Sequence, residues 1–138
     1  MHYRPIDVSK GEDYIASLLS RAGYKFAREV IIEGVKRKQP LRYDFGIYSN
    51  GELQSLIEVQ GQQHYVQVKM FQPTRADFTR YQEHDRIKIS ACLARGIPLY
   101  IIPYCDLETI QSAQDIFQDK YLAKSKWHND QNNPYKHN

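Results

Sequence analysis

Two acidic residues, Asp44 and Glu58, stand within segments patterned as β-strands, and they are the residues of this sequence best suited to chemistry. Alternate residues from Leu41 to Ile47 are apolar and share one predicted face, which leaves Asp44 on the other face. Asn50-Gly51 is a strong hairpin signal, so we expect adjacent antiparallel strands that carry the two carboxylates side by side. Carboxylates, together with phosphate oxygens and water, are the ligands that Mg²⁺ prefers. The pair Asp44 and Glu58 therefore predicts a site for Mg²⁺, for which Mn²⁺ can substitute.

A solvated strand face is the alternative interpretation of Asp44 and Glu58. Aspartate is depleted in strands, and two neighbouring acids repel each other unless something binds them. The metal site is therefore the favoured interpretation.

Other polar residues could complete such a site, although each has an ordinary explanation as well. Glu12 forms a predicted capping box with Ser9 as N-cap, which is a structural role. His64 follows the end of a predicted strand in a glutamine-rich stretch, where an exposed histidine is common. Asp85 and Lys88 lie three residues apart on a predicted helix, where they would form a surface ion pair. The residues alone leave these alternatives open.

Four motifs in this chain resemble those of the PD-(D/E)xK nuclease superfamily. The nearer likeness is to the very-short-patch-repair-like branch, which includes the EDxHD homing endonucleases of phages and introns. The resemblance covers about residues 9–104, and it implies a restriction-endonuclease-like fold and Mg²⁺-dependent cleavage of DNA. The motifs are Arg42-Tyr43-Asp44-Phe45, Glu58-x-x-Gly61-x-x-His64-Tyr65, Asp85-x-x-Lys88 and Ile97-Pro98-Leu99-Tyr100-Ile101-Ile102-Pro103-Tyr104.

The resemblance implies a role for each residue that matches a motif. Asp44 matches the invariant metal-binding aspartate, and Glu58 matches the variable position that often holds a second acid. His64 matches the histidine near the scissile phosphate. Glu12 matches the glutamate of the first helix, and Asp85 matches the last aspartate of the motif.

One departure from the superfamily pattern concerns charge. The lysine of the E-x-K motif is Gln60 here, which can orient a water molecule but carries no positive charge. Lys88 or His64 would have to supply that charge. Tyr43 replaces the proline of the "PD" pair, which is a common substitution. The predicted catalytic residues are Glu12, Asp44, Glu58, Gln60, His64, Asp85 and Lys88, with Asp44 and Glu58 as metal ligands.

The elements that position these residues follow an α/β order with a mixed sheet flanked by helices. The last strand follows a helical crossover, so it should lie parallel to a sheet neighbour and inside the sheet. A capping aspartate, Asp106, precedes apolar residues at helical spacing as far as Tyr121, which predicts a final amphipathic helix. The remaining predictions are a helix over residues 10–22, strands over 28–33, 41–48, 53–60 and 98–102, a loop over 61–76 and a helix over 77–95.

Composition limits the class of protein. The chain has 138 residues, 41% hydrophobic and 25% charged, which fits one globular domain, and the net charge of +3 is mildly basic. We expect a single nuclease domain over residues 1–123 and a polar tail over 124–138 that frays. No apolar stretch approaches the ~20 residues of a membrane span, and the first residues lack the apolar part of a signal peptide. A cytoplasmic location is therefore expected, in the host cell if the protein is phage-encoded.

The expected partner is DNA, with a homodimer as one route to double-strand cleavage. Two other functions stay open. A nuclease-like protein of weak or absent activity could bind nucleic acid without cutting it, and the missing lysine of E-x-K favours that interpretation. A nuclease directed at junctions or RNA would use the same site residues.

Overall fold

The computed structural model describes residues 8–60, 74–125 and 128, apart from the side chains of Val8, Ser9 and Phe78. In this part of the chain the strands form one mixed sheet of order β1-β2-β3-β4. The mixed α/β fold with flanking helices is confirmed. The elements are α1 (Val8–Arg21), β1 (Lys25–Lys36), β2 (Pro40–Ser49), β3 (Glu52–Gln60), α2 (Arg75–Arg95) and β4 (Leu99–Pro103).

The two helices pack on opposite faces of the sheet. Successive strand residues point to opposite faces, and on β3 Leu56 and Ile57 belong to two different hydrophobic clusters. The cluster of Ile57 contains the buried residues of α1, whereas the cluster of Leu56 contains Ile89 and Cys92 of α2. The sheet therefore has an α1 side and an α2 side. No helix in the described segments is both long and apolar enough to cross a membrane.

The helix α1 ends as its sequence predicts. Gly23 has a left-handed φ of +82°, and the N–H of Tyr24 donates to the carbonyl of Leu19 at 3.0 Å. Its start differs from the prediction. Ser9 lies within the helix, whereas an N-cap must precede the first helical residue. The predicted capping box of Ser9 and Glu12 is therefore wrong, and Glu12 is available for other contacts.

The helix α2 begins two residues before the predicted start at Asp77. Thr74 is its N-cap: the N–H of Asp77 donates to Oγ1 of Thr74 at 3.1 Å, and the N–H of Thr74 donates to Oδ2 of Asp77 at 2.9 Å. This capping box makes Asp77 the third helical residue rather than the first. The predicted loop over 61–76 falls mostly outside the described residues.

The strand β4 is parallel to β3, as predicted, with Leu56 paired to Leu99. The expectation that it lies inside the sheet is wrong for the described part of the chain, where β4 is the last strand in the order. The chain near residues 122 and 123 pairs with the outer edge of β4. The N–H of Ala123 donates to the carbonyl of Leu99 at 2.9 Å, and Tyr100 forms an antiparallel bridge with Leu122.

The predicted helix after Asp106 does not form. Side chains in this segment bond to nearby backbone and compete with helix growth. The carboxylate of Asp115 accepts the N–H groups of Gln111 and Ser112 at 2.9 and 3.3 Å, and Ser112 itself is extended. Asp106 instead accepts a hydrogen bond from the hydroxyl of Tyr121 at 2.8 Å. The segment contains short 3-10 helices at Tyr104–Thr109, Ala113–Asp115 and Asp119–Tyr121.

Candidate active site

The strands β2 and β3 separate at the two acidic residues. Their antiparallel pairing is regular at Phe45 and Ile57, and beyond that pair β2 continues beside β1 while β3 continues beside β4. At the separation Oδ2 of Asp44 accepts the N–H of Val59 at 2.7 Å, and Oε2 of Glu58 accepts the N–H of Asp44 at 2.8 Å. The carboxylates thus satisfy backbone donors that the separated strands cannot satisfy. We name this point, with Asp44 and Glu58, the fork.

The strand β2 also changes face at the fork. Tyr43 belongs to the α2-side cluster and Phe45 to the α1-side cluster, although a regular strand would put both on one face. The prediction that alternate apolar residues of β2 share a face is therefore wrong, although all of them are buried. On β1 the residue at the register position of Asp44 is Glu29, whose φ is +56°. Both strands are therefore irregular at the same level, and Asp44 lies near groups from both sides of the sheet.

Three carboxylates meet on the α1 side of the fork. Oxygens of Glu12, Glu29 and Asp44 lie within 4.8 Å of one another. We name these three residues the acidic cluster. Arg28 partly offsets their charge, since its Nη2 lies 3.6 Å from Oε1 of Glu12, but its Nη1 also pairs with Asp13 at 3.1 Å. Arg28 therefore cannot neutralise the cluster when all three carboxyl groups are ionised.

Burial is the largest cause of the raised pKa values of Asp44 and Glu12. It raises the pKa of Asp44 to about 9, and the nearby charges of Glu58 and Glu12 act in the same direction. Burial likewise raises the pKa of Glu12, with a further contribution from Glu29. A bound cation would relieve this repulsion and favour the ionised carboxylates. The donors are all hard oxygens, which fits Mg²⁺ or Mn²⁺ rather than a thiophilic metal.

A lysine enters the fork from the α2 side. Nζ of Lys88 lies 2.7 Å from Oε1 of Glu58, and both side chains are largely buried. Burial lowers the pKa of Lys88, but the charges of Glu58, Asp44 and Asp85 outweigh it and raise the pKa above its usual range. The hydroxyl of Tyr43 donates to the carbonyl of Lys88 at 2.9 Å and ties the helix to β2. Lys88 therefore stays charged and is held beside the two acids.

Gln60 and Asp85 form a second link between β3 and α2. Nε2 of Gln60 donates to Oδ2 of Asp85 at 2.9 Å, and both residues are buried. Asp85 is therefore not the solvent-exposed partner that a surface ion pair with Lys88 would require. The bond fixes the end of β3 against the helix that carries Lys88.

The structure brings together the predicted site residues that it describes. His64 lies outside the described residues. Glu29 is the member that sequence reasoning missed: it is exposed, and only its register opposite Asp44 and its positive φ distinguish it. The described site residues that interact with one another are Glu12, Asp44, Glu58, Gln60, Asp85 and Lys88.

Comparisons with protein-family models, with curated proteins and with solved structures give no match for this chain. The geometry of the fork is therefore what indicates a function. That geometry combines a group of oxygen ligands on one side with a buried ammonium on the other. Such a combination suits an anionic substrate that binds a divalent cation.

Proposed function

We propose that this chain is a divalent-metal-dependent nuclease that hydrolyses phosphodiester bonds in DNA. The observation that carries the proposal is the meeting of the acidic cluster and Lys88 at one fork. Phosphoryl transfer needs little covalent chemistry from a protein and depends on positioning and on charge stabilisation. Oxygen ligands for a cation and a fixed ammonium are the groups that supply both.

The residues of the fork take distinct roles in this proposal. Asp44, with Glu12 and Glu29, would hold the cation, and Glu58 remains a predicted ligand although Lys88 and the N–H of Asp44 now engage its oxygens. A bound Mg²⁺ supplies Lewis acidity toward a phosphate oxygen and lowers the pKa of its water.

The neighbouring groups serve charge and position. Lys88 would stabilise the negative charge that develops at phosphorus, which is the task of the lysine absent from the E-x-K position. Gln60 and Asp85 position the strand and helix through their hydrogen bond. His64 stays a predicted general acid or base.

Cleavage of supercoiled plasmid tests the proposal. Wild-type protein should convert it to nicked or linear DNA with Mg²⁺ or Mn²⁺, and EDTA should stop the reaction. Asp44→Asn should lose nearly all cleavage. Asp13→Asn is the matched control, because Asp13 is exposed and bonds to Arg28 but is not in the acidic cluster. Undiminished cleavage in EDTA, or by Asp44→Asn, would refute the metal site.

The ratio of nicked to linear DNA indicates whether the protein acts as a homodimer. The described residues form one fork, which is suited to cutting one strand at a time, so we propose that double-strand cleavage requires a homodimer or two separate events. Nicked product that precedes linear product would indicate separate events. Such a DNA nuclease would act in the cytoplasm.

A second candidate function is a nuclease-like protein that binds nucleic acid without cleaving it. Gln60 favours this candidate, because it occupies the E-x-K lysine position and its amide is engaged with Asp85. Under this alternative, wild type and Asp44→Asn would be equally inert with Mg²⁺ on plasmid, RNA and a four-way junction. Cleavage of RNA or of the junction alone would instead identify a nuclease of different substrate class.

A further inference from the structure

A cleft of about 450 Å³ lies between the turn after β1 and the first turns of α2. Arg37 of the turn forms one wall, and Arg75, Arg80 and Glu83 of the helix form the other. We name these four residues the basic cleft. It lies on the helix that carries Lys88, but it is separate from the acidic cluster.

The basic cleft is positively charged despite its internal ion pairs. Among the residues that the structure describes, three arginines and a single glutamate are the charged residues that line it. Arg37 pairs with Glu83, and Nη2 of Arg80 lies 3.0 Å from Oδ1 of Asp77. These pairs are partly exposed, so they are weak and can exchange for another anion. Arg37 also stands between two exposed lysines in sequence, which adds to the positive potential.

A line of cationic and titratable residues joins the basic cleft to the fork. Arg80, His84 and Lys88 are spaced at i, i+4 and i+8, which places them along one side of α2. At 1.5 Å per residue, Lys88 and Arg80 are about 12 Å apart along the helix axis. Burial lowers the pKa of His84, and the charges of Lys88 and Arg37 lower it further. His84 thus lies one helical turn from a cation on either side, Arg80 and Lys88, while the charge of Asp85 acts on its pKa in the opposite direction.

We infer that the basic cleft binds backbone phosphates of the DNA strand next to the phosphate in the fork. The strand would run from Lys88 past His84 to Arg37, Arg75 and Arg80. Guanidinium groups match the geometry of phosphate oxygens, and one DNA strand carries a phosphate for each about 3.4 Å of duplex axis, so different phosphates of the same strand can reach the two ends of this line of about 12 Å. The path of the strand toward Lys88 rests on the proposed function of the fork. Phosphate binding by the basic cleft can be measured without cleavage.

The double variant Arg75→Gln/Arg80→Gln tests the contact. Binding of a fluorescein-labelled 20-base-pair duplex is measured by anisotropy in EDTA over a range of KCl concentrations. Each lost phosphate contact lowers the slope of log K against log salt by about 1, so the double variant should lose about 2 and bind more weakly.

A matched control removes the same charge elsewhere. Arg21→Gln/Lys25→Gln changes two exposed cations at the end of α1 and the start of β1. Lys25 is at the opposite end of β1 from the turn that holds Arg37, more than about 30 Å away at 3.3 Å per residue. The control variant should keep the wild-type salt slope.

Glu83→Gln gives a test of opposite sign, which loss of folding cannot imitate. It removes the only carboxylate that lines the basic cleft within the described structure and leaves Arg37 available to phosphate. We expect tighter duplex binding and a steeper salt slope.

The outcomes separate this inference from the proposed function. Equal slopes for the cleft and control variants, or no tightening by Glu83→Gln, would overturn the basic cleft as a phosphate site, whatever the plasmid assay gives. The expected slopes together with an inert wild type would support the phosphate site and refute the nuclease. Cleavage with unchanged slopes would support the nuclease and refute the phosphate site.

Discussion

The ammonium of Lys88 on α2 lies 2.7 Å from Oε1 of Glu58 on β3, while the other oxygen of Glu58 accepts the N–H of Asp44 on β2 at 2.8 Å. One carboxylate therefore connects three elements at the point where the strands separate. Because both charged side chains are largely buried, this link has consequences for folding as well as for chemistry.

The first prediction concerns that ion pair. Lys88→Met removes the charge and leaves Glu58 buried without its cation, which costs about 3 kcal/mol in the free energy of unfolding. Adding Glu58→Gln should recover most of that loss, since the buried charge is then gone, but should not recover plasmid cleavage. Urea denaturation of both variants measures the stability. A double variant no more stable than Lys88→Met would show that packing, not charge, accounts for the loss.

The second prediction concerns Asp44 and pH in the absence of metal. Burial raises the pKa of Asp44 from 3.8 to about 9, so between these values the native state binds more protons than the unfolded state. Stability in EDTA should therefore fall as the pH rises through this range. Asp44→Asn cannot ionise, and it should show a flatter profile and higher stability at pH 8. Parallel urea-denaturation profiles for the two proteins would contradict the raised pKa.

The third prediction concerns metal binding and the residue that sequence did not indicate. A cation must displace a proton from the acidic cluster, so Mn²⁺ should raise the melting temperature more at pH 8 than at pH 6. Glu29→Gln and Glu12→Gln should each reduce that increase, as well as plasmid cleavage, because each removes a candidate ligand. Asp13→Asn should retain the increase. Full retention by Glu29→Gln would exclude Glu29 from the site.

The sequence predicted the hairpin and its two acids because the signals there are local. The Asn50-Gly51 turn determines which two strands are adjacent, and both turn residues have the positive φ that such a hairpin favours. These signals do not determine where the two strands separate. The point of separation depends on how β2 pairs with β1 and how β3 pairs with β4. The sequence of the hairpin alone does not encode that pairing.

The parts that were missed depend on backbone irregularity and on competing side-chain bonds. Glu29 looks like an ordinary exposed strand residue until its left-handed backbone and its register with Asp44 are known. The apolar spacing after Asp106 suits a helix, but the Asp115 carboxylate bonds to the backbone of Ser112 and interrupts it. Periodicity records which residues are buried, and it does not record such interruptions.

The last prediction compares two histidines whose pKa values are lowered by different causes. Burial lowers the pKa of His84 below 6.5, and the charges of Lys88, Arg37 and Arg80 lower it further against the opposing charge of Asp85. Among the described residues, burial is the cause that lowers the pKa of His128. A lowered histidine pKa means that the unfolded state binds more protons, so stability should fall as the pH drops below about 6.5. His84→Gln should reduce that fall.

Salt and DNA then distinguish the two histidines in one NMR titration. Added KCl screens the neighbouring cations and should raise the pKa of His84 toward 6.5, while the pKa of His128 should move little. A bound 20-base-pair duplex, recorded at low salt in EDTA, should raise the pKa of His84 more than salt does, because phosphates along α2 place negative charge beside the ring. Equal shifts at both histidines would mean that the DNA strand does not run along this side of the helix.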